Sequence, residues 1–337
     1  MAKVKRINLA LQGGGAHGAF TWGVLDRLLE DERIEVAAIS GTSAGAMNGA
    51  AFKAGWLDGG RAGARAHLDW LWSKMGAVQD VRMPAWMSGS TGAISAAMEM
   101  SPAYLWSETM SRMVSPYAYG PFYANPLEPI ARAFEYDKVC AEAEPRLYVG
   151  ATNVHSGKIR VFSGNEISTD ALLASACLPT MFQAVEIDGQ SYWDGGYTGN
   201  PALFPLFDDD LPDDILIVNI NPLERAEVPR SPQDIQNRIN EISFNSSLLR
   251  ELRAIRFAQR LLKDGAMAKG AMKHVLVHMV ADDALMRELS VATKLMPNPY
   301  VLGQLKEAGR AACDIFLENH FDDLNVIGST NIEEMFG

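Results

Sequence analysis

The chain has 337 residues, 48% hydrophobic and 21% charged, and carries a net charge of −11. That length buries a large core and that composition folds, which excludes a disulfide-stapled miniprotein, a short binding module and a disordered chain. The acidic balance gives no bulk attraction for nucleic acid or anionic lipid, so any lipid contact has to be local. Cys140, Cys177 and Cys313 lie far apart without metal-ligand spacing, which predicts no disulfide framework and no Cys-type zinc site and fits a reducing compartment. The basic start Met1 to Arg6 precedes only a few apolar residues before Gln12, too few for a secretory signal. No apolar run reaches membrane-spanning length, so the expected location is cytoplasmic, with at most peripheral membrane contact.

In chain order, Ile7 to Leu11 reads as a buried parallel strand, Gly18 to Glu30 as a helix and Val36 to Ile39 as a second strand. Gly41 follows, and then a small-residue helix from Ala44 towards Trp56. From Met75 to Pro126 the chain carries few charges and includes Met83, Trp86, Met87, Met98, Met100, Trp106, Met110 and Met113, which suits an adaptable apolar wall or lid or, equally, plain core. Leu147 to Val149 is strand-like, and Val185 to Ile187 turns at Asp188-Gly189 into Ser191 to Trp193 as a hairpin. Ile215 to Ile220 and Val275 to Val280 are two more buried runs, and the alternation predicts an α/β sheet covered on both faces. Ser231-Pro232 starts, and Gly265 stops, a long amphipathic helix expected to bend or break near Asn245-Ser246. On it Arg253, Arg256, Arg260 and Lys263 form a charged face open to solvent, a membrane surface or a partner.

Two motifs carry chemistry. Gly13, Gly15 and Gly18 satisfy the dinucleotide spacing G-x-G-x-x-G between a strand and a helix, where backbone amides and the helix dipole favour an anion. Against a nucleotide, the second strand ends in Ser40-Gly41-Thr42-Ser43-Ala44-Gly45, without the acid that would hold ribose hydroxyls, and no Lys-Ser or Lys-Thr follows the glycines. Gly41 to Gly45 instead matches the nucleophile elbow G-x-S-x-G, with Ser43 on a tight strand-to-helix turn. Two neighbouring strand tips would then place loop amides beside the serine hydroxyl, as an oxyanion hole requires. A serine needs a base. The candidates are His17 in the glycine loop, the later histidines His274, His278 and His320, and Asp194 in Trp193-Asp194-Gly195-Gly196-Tyr197. His278 sits in an apolar run and reads as a satisfied core residue.

Taken in order, the glycine loop, the G-T-S-A-G elbow and the D-G-G segment resemble the three signatures of the patatin-like phospholipases, and Ala174 to Pro179 resembles the small-residue block before the family aspartate. The resemblance runs from Ile7 to Pro205; His17 departs from it, standing where many members have arginine. It implies a three-layer α/β/α fold with a largely parallel sheet, and a Ser-Asp dyad without histidine. Ser43 matches the nucleophile, Asp194 the base, Gly13, Gly14 and Gly15 the oxyanion loop, and Gly41 and Gly45 the elbow glycines. It further implies hydrolysis of lipid or other acyl esters, with no metal, no organic cofactor and no nucleic-acid partner. The expected organisation is a catalytic domain over 1–220, with a lid or acyl-binding insertion over 75–126, and a mainly helical extension over 221–337 packed on the core. Two other readings stay open at this level: a nucleotide-binding protein using the 13–18 loop, and a catalytically silent scaffold of the same fold.

Overall fold

A computed structural model describes residues 4–77, 90–268 and 270–336. Of the Met- and Trp-rich stretch, Met83, Trp86 and Met87 lie outside the described residues. The strands are β1 (Lys5–Leu11), β2 (Ile34–Thr42), β3 (Arg146–Asn153), β4 (Ile159–Ser163), β5 (Val185–Ile187), β6 (Gln190–Asp194), β7 (Asp214–Asn219) and β8 (Leu276–Ala281). They form one sheet in the order β5-β6-β3-β2-β1-β7-β8, with β4 also paired to β3. The five-strand centre β3-β2-β1-β7-β8 is parallel, while β4 and β6 run antiparallel to β3 and β5 antiparallel to β6.

Helices α1 (Gly18–Leu28) and α2 (Ala44–Ala77) follow β1 and β2, and α3 (Thr91–Glu99), α4 (Pro102–Met113), α5 (Glu128–Arg132) and α6 (Tyr136–Val139) lead to β3. After β4 comes α7 (Thr169–Ser175), and after β7 the long α8 (Pro232–Lys263). Beyond β8 are α9 (Asp283–Glu288), α10 (Val291–Leu295), α11 (Pro299–His320) and α12 (Ile332–Met335).

Alternation along the strands divides the interior into two layers. Ile7, Leu9, Leu11, Ile39, Leu216 and Val218 point into a core with α1, α2, α7 and α11. Ala10, Ala37, Ala38, Ile215 and Ile217 point the other way, against Leu248, Leu252 and Ile255 of α8 and the 203–211 segment. The result is the three-layer α/β/α arrangement, and its mainly helical C-terminal part adds β8 to the sheet edge. The small-residue helix from Ala44 stops just beyond Trp56, at Gly59 and Gly60, which are both outside helical geometry, and a second helical segment completes α2 up to Ala77. Among the described residues no helix is long and apolar enough to cross a membrane.

The expected interruption in α8 is absent, and the helix runs from Pro232 to Lys263 without a break. The residues that signalled a break are turned to other work. Asn245 Nδ2 donates to the carbonyls of Asn221 (3.2 Å) and Pro222 (3.0 Å). Ser246 Oγ donates to Ser243 O one turn back, and Ser247 Oγ accepts the Asn200 amide at 3.0 Å. Polar side chains that would compete with a helix backbone in isolation have partners elsewhere, so the helix has no reason to open.

Candidate active site

The strand register explains how residues far apart in sequence reach one another. Strand β3 has two edges, and β4 occupies one of them from Tyr148 to Thr152. The other edge is shared end to end: β2 pairs with it up to Thr42 opposite Gly150, and β6 takes over with Asp194 opposite Ala151. Because β2 runs parallel and β6 antiparallel to β3, their C-terminal ends meet head to head. Thr42-Ser43 and Asp194-Gly195 are therefore neighbours, and a Cβ on Gly195 would lie 2.9 Å from Thr42 Cγ2.

Ser43 sits at the turn from β2 into α2 with φ 55°, a left-handed conformation that a non-glycine residue holds only where its surroundings enforce it. Two constraints do so. The Ser43 amide donates to Ser175 Oγ at 2.8 Å, whose own hydroxyl donates to Gly150 O at 2.7 Å, while Ser43 O accepts from Met47 N to start the helix. On the far side, Gly45 passes against the Leu11 carbonyl so closely that any Cβ would overlap it. The elbow is thus clamped between β1 and α7.

Asp194 is 1% exposed. Its backbone amide donates to Cys177 O at 2.7 Å and its carbonyl accepts from Thr152 Oγ1 at 2.8 Å, so the backbone is held on both sides. The carboxylate accepts the Gly196 amide at 2.7 Å, and that amide and the Ser43 hydroxyl both act to lower its pKa. Burial outweighs these two influences and pushes its pKa up to about 7. The adjacent Cys177 thiol and Tyr197 hydroxyl are pushed up to about 12, chiefly by burial and secondarily by the aspartate, and stay neutral.

The glycine loop lies against the serine: a Cβ on Gly13 would stand 2.8 Å from Ser43 Cβ. Its three leading glycines differ in what their amides do. Contrary to the expectation for the whole loop, Gly13 N donates to Asn200 Oδ1 at 2.6 Å and is not available to an anion. Among the described residues, the Gly14 and Gly15 amides have no acceptor. Gly15 also has φ 58°, which a bare Cα accommodates without strain. A polar net fixes the loop from behind. Gln12 Oε1 accepts from Ile220 N, Asn221 N and Asn221 Nδ2, its Nε2 donates to Asn245 Oδ1 at 3.2 Å, and Asn221 Nδ2 donates to Gly13 O at 2.9 Å. Lys294 Nζ donates to Asn221 Oδ1 at 2.8 Å.

The histidines are elsewhere. His17 Nε2 pairs with Thr293 Oγ1 at 2.8 Å, and burial, with Lys294 nearby, holds its pKa well below the usual value. His278 is fully buried between Asp214 and Ser329, as a core histidine should be, and His320 pairs with Asp323. Among the described residues there is no cluster of three or more His, Cys, Asp or Glu placed to hold a metal ion. Ser175, Asn200, Asn221, Asn245 and Lys294 escaped the sequence reading. Ser175 and Asn245 stood in segments already singled out, though for other reasons, and the others sit in stretches whose local pattern says turn or helix face.

The fold defines the class first: a three-layer α/β/α domain with a serine on a strand-to-helix turn beside a buried carboxylate. The family described as patatin-like phospholipase matches residues 9–207, more than half of the chain, and the protein belongs to that family of lipid acyl hydrolases. No curated protein matches the chain. Among solved structures it is similar to VipD from Legionella pneumophila, at 14% identity and TM-score 0.43, over 94% of this chain and 67% of that one. It is also similar to the heterodimeric ExoU-SpcU complex from the type III secretion system of Pseudomonas aeruginosa, at 17% identity and TM-score 0.31, over 99% of this chain and 66% of that one. The chain therefore spans about two thirds of the length of each.

Proposed function

We propose that the protein is a serine acyl hydrolase that cleaves carboxylic esters of lipids, of the phospholipase A or lysophospholipase type, through a Ser43-Asp194 dyad. The observation that carries this reading is a serine on a left-handed turn next to a carboxylate that is 1% exposed and whose pKa the serine helps to set, beside two loop amides that have no acceptor among the described residues. As Ser43 Oγ attacks the ester carbonyl, its proton passes to Asp194 and the carbonyl oxygen becomes an anion held by the Gly14 and Gly15 amides. Collapse breaks the ester C–O bond, and Asp194 returns the proton to the leaving alcohol. Water, deprotonated by the same carboxylate, then attacks the acyl-serine and releases the fatty acid. A carboxylate with a pKa of about 7 is a far better base at neutrality than an ordinary aspartate.

The segment around α3 and α4 suits a lipid-facing wall. Ile94, Met98 and Tyr104 anchor it in the core, whereas Met100, Trp106, Met113 and Phe122 are 69–89% exposed. Tyr117 Oη accepts Ala184 N and Tyr123 Oη accepts Gln183 N, which ties the wall to the stretch that leads into Asp194. Such a surface gives acyl chains an apolar approach to the serine.

The test uses a fluorophosphonate probe together with hydrolysis of a lysophospholipid and of 4-nitrophenyl butyrate. Labelling is expected at Ser43, and Ser43→Ala or Asp194→Asn should each lower turnover by roughly 10³-fold or more. Retention of most turnover by either variant would remove the dyad.

A further inference from the structure

The mechanism above leaves one group beside the glycine loop without a role. The loop is seated on α10, whose Thr293 meets His17 and whose Lys294 touches the loop directly at Gly15 and indirectly through Asn221. The Lys294 carbonyl packs directly on the Cα of Gly15, and the Lys294 ammonium donates to Asn221 Oδ1 at 2.8 Å. Asn221 in turn grips the loop, with its Nδ2 on Gly13 O at 2.9 Å and on Gln12 Oε1 at 3.1 Å. Among the described residues, Lys294 makes no salt bridge. The nearby carboxylate, Glu241 of α8, is already committed to Arg225 (2.6 Å) and Arg238 (3.2 Å). The one histidine at the loop, His17, is held neutral by burial and by Lys294 itself. The only charged residue of α3, which packs against α10, is Glu99, and it accepts from Asn237 Nδ2 at 3.3 Å. Two guanidinium groups and one ammonium thus surround one carboxylate, which leaves net positive charge on the cluster that holds Asn221 behind the glycine loop.

We infer that Lys294 is a positioning residue for ester hydrolysis: through Asn221 it fixes the Gln12 to Gly15 loop, and its positive charge favours the oxyanion held by Gly14 and Gly15. This rests on the dyad reading and adds to it a residue from the C-terminal part of the chain, which the family match over 9–207 does not reach. Such help acts only once charge appears on the carbonyl oxygen, so its loss lowers kcat and leaves substrate binding alone. Burial lowers the Lys294 pKa to about 8. The charge is therefore present at neutrality and lost as the pH rises past that value. Arg225 and Glu241 hold each other charged throughout that range, with the guanidinium raised and the carboxyl lowered.

The experiment compares the full-length protein with Lys294→Met and Lys294→Arg on 4-nitrophenyl butyrate between pH 6 and 10. Lys294→Met should lose about 10- to 100-fold in kcat with KM unchanged within twofold, and fluorophosphonate labelling of Ser43 should slow in parallel. Lys294→Arg should restore most of kcat and move the alkaline fall in activity, near pH 8 in the wild type, to higher pH, because a guanidinium keeps its charge. The inference is overturned by full kcat in Lys294→Met, by a change confined to KM, or by a wild-type alkaline limb that Lys294→Arg leaves in place. That last comparison needs only two folded, active proteins and so holds even if the methionine variant is unstable. Failure of the dyad reads differently: Ser43→Ala would then keep its turnover whatever stands at position 294.

Discussion

Asp194 serves two purposes that conflict. In the proposed dyad, burial tunes it as a base to neutral pH, and the same burial makes its ionised form expensive for the fold. The native pKa, about 7, lies above the unfolded value of 3.8. Below the unfolded value the carboxyl is protonated in both states and costs nothing. Between roughly pH 4 and 7 the penalty grows by about 1.4 kcal/mol per pH unit, and above 7 it stays constant, so stability falls as pH rises through this window. Asp194→Asn, which cannot ionise, should therefore be more stable than the wild type by up to about 4 kcal/mol at pH 8 and about equal to it at pH 4. Thermal melts of both proteins across that range check this, and an equal Tm difference at both ends would sink it. The rate should move oppositely, rising through about pH 7 in the wild type as the base ionises. Ser175 makes a second residue-scale case. It accepts the amide of Ser43 and donates to Gly150 O, so it joins the elbow to β3. Ser175→Ala leaves a buried amide and a buried carbonyl without partners, at a cost of about 1–3 kcal/mol. A drop of about tenfold in kcat should accompany it as the φ 55° conformation loses its restraint, and unchanged kcat would show that the elbow holds itself.

At the level of elements, legibility followed locality. Both strands flanking the elbow, the helix after the glycine loop and the hairpin carrying Asp194 were readable because each rests on a short window, such as the Asp188-Gly189 turn, where both residues have positive φ. The candidate pair Ser43 and Asp194 was readable for the same reason, each sitting in its own glycine-flanked motif. What joins the two windows was not readable. The end-to-end sharing of one β3 edge by β2 and β6 is a fact of register, and no local pattern encodes it. The long helix shows the converse error. Asn245 and Ser246 look like a break in isolation, yet α8 is a continuous helix whose Asn245 holds Gln12, Asn221 and Pro222 together. Asn245→Ala should thus cost about 1–3 kcal/mol by urea titration, far more than an exposed helix position, where alanine would help. It should also lower kcat more than it raises KM, because Gln12 leads directly into the loop. A neutral or stabilising effect would show that α8 merely covers the sheet.

On the scale of the whole molecule, charge and apolar surface give opposite instructions to a lipid interface, and their balance sets a testable behaviour. A net charge of −11 disfavours anionic membranes, and the cations of α8 are spread among other contacts, with Arg253 over the Phe336 ring and Arg260 over Phe257. The exposed Met100, Trp106, Met113 and Phe122, by contrast, sit in a stretch almost free of charge, and aromatic and thioether side chains enter the headgroup region without needing a counterion. Burying one such side chain is worth about 1.5–3 kcal/mol, so two or three together suffice for reversible binding. Vesicles of zwitterionic phosphatidylcholine should therefore bind the protein at least as well as vesicles doped with phosphatidylserine, with little loss between low and high salt, since insertion rather than attraction drives it. The double variant Trp106→Ala, Phe122→Ala should weaken vesicle binding about tenfold or more and slow hydrolysis of vesicle lipid to match. It should leave turnover of soluble 4-nitrophenyl butyrate intact, because neither side chain is part of the loop or the dyad. Cosedimentation and the two assays side by side decide it. Tighter binding to anionic vesicles that collapses in salt would assign the contact to the α8 cations instead, and equal losses on both substrates would mean that the segment supports the site itself.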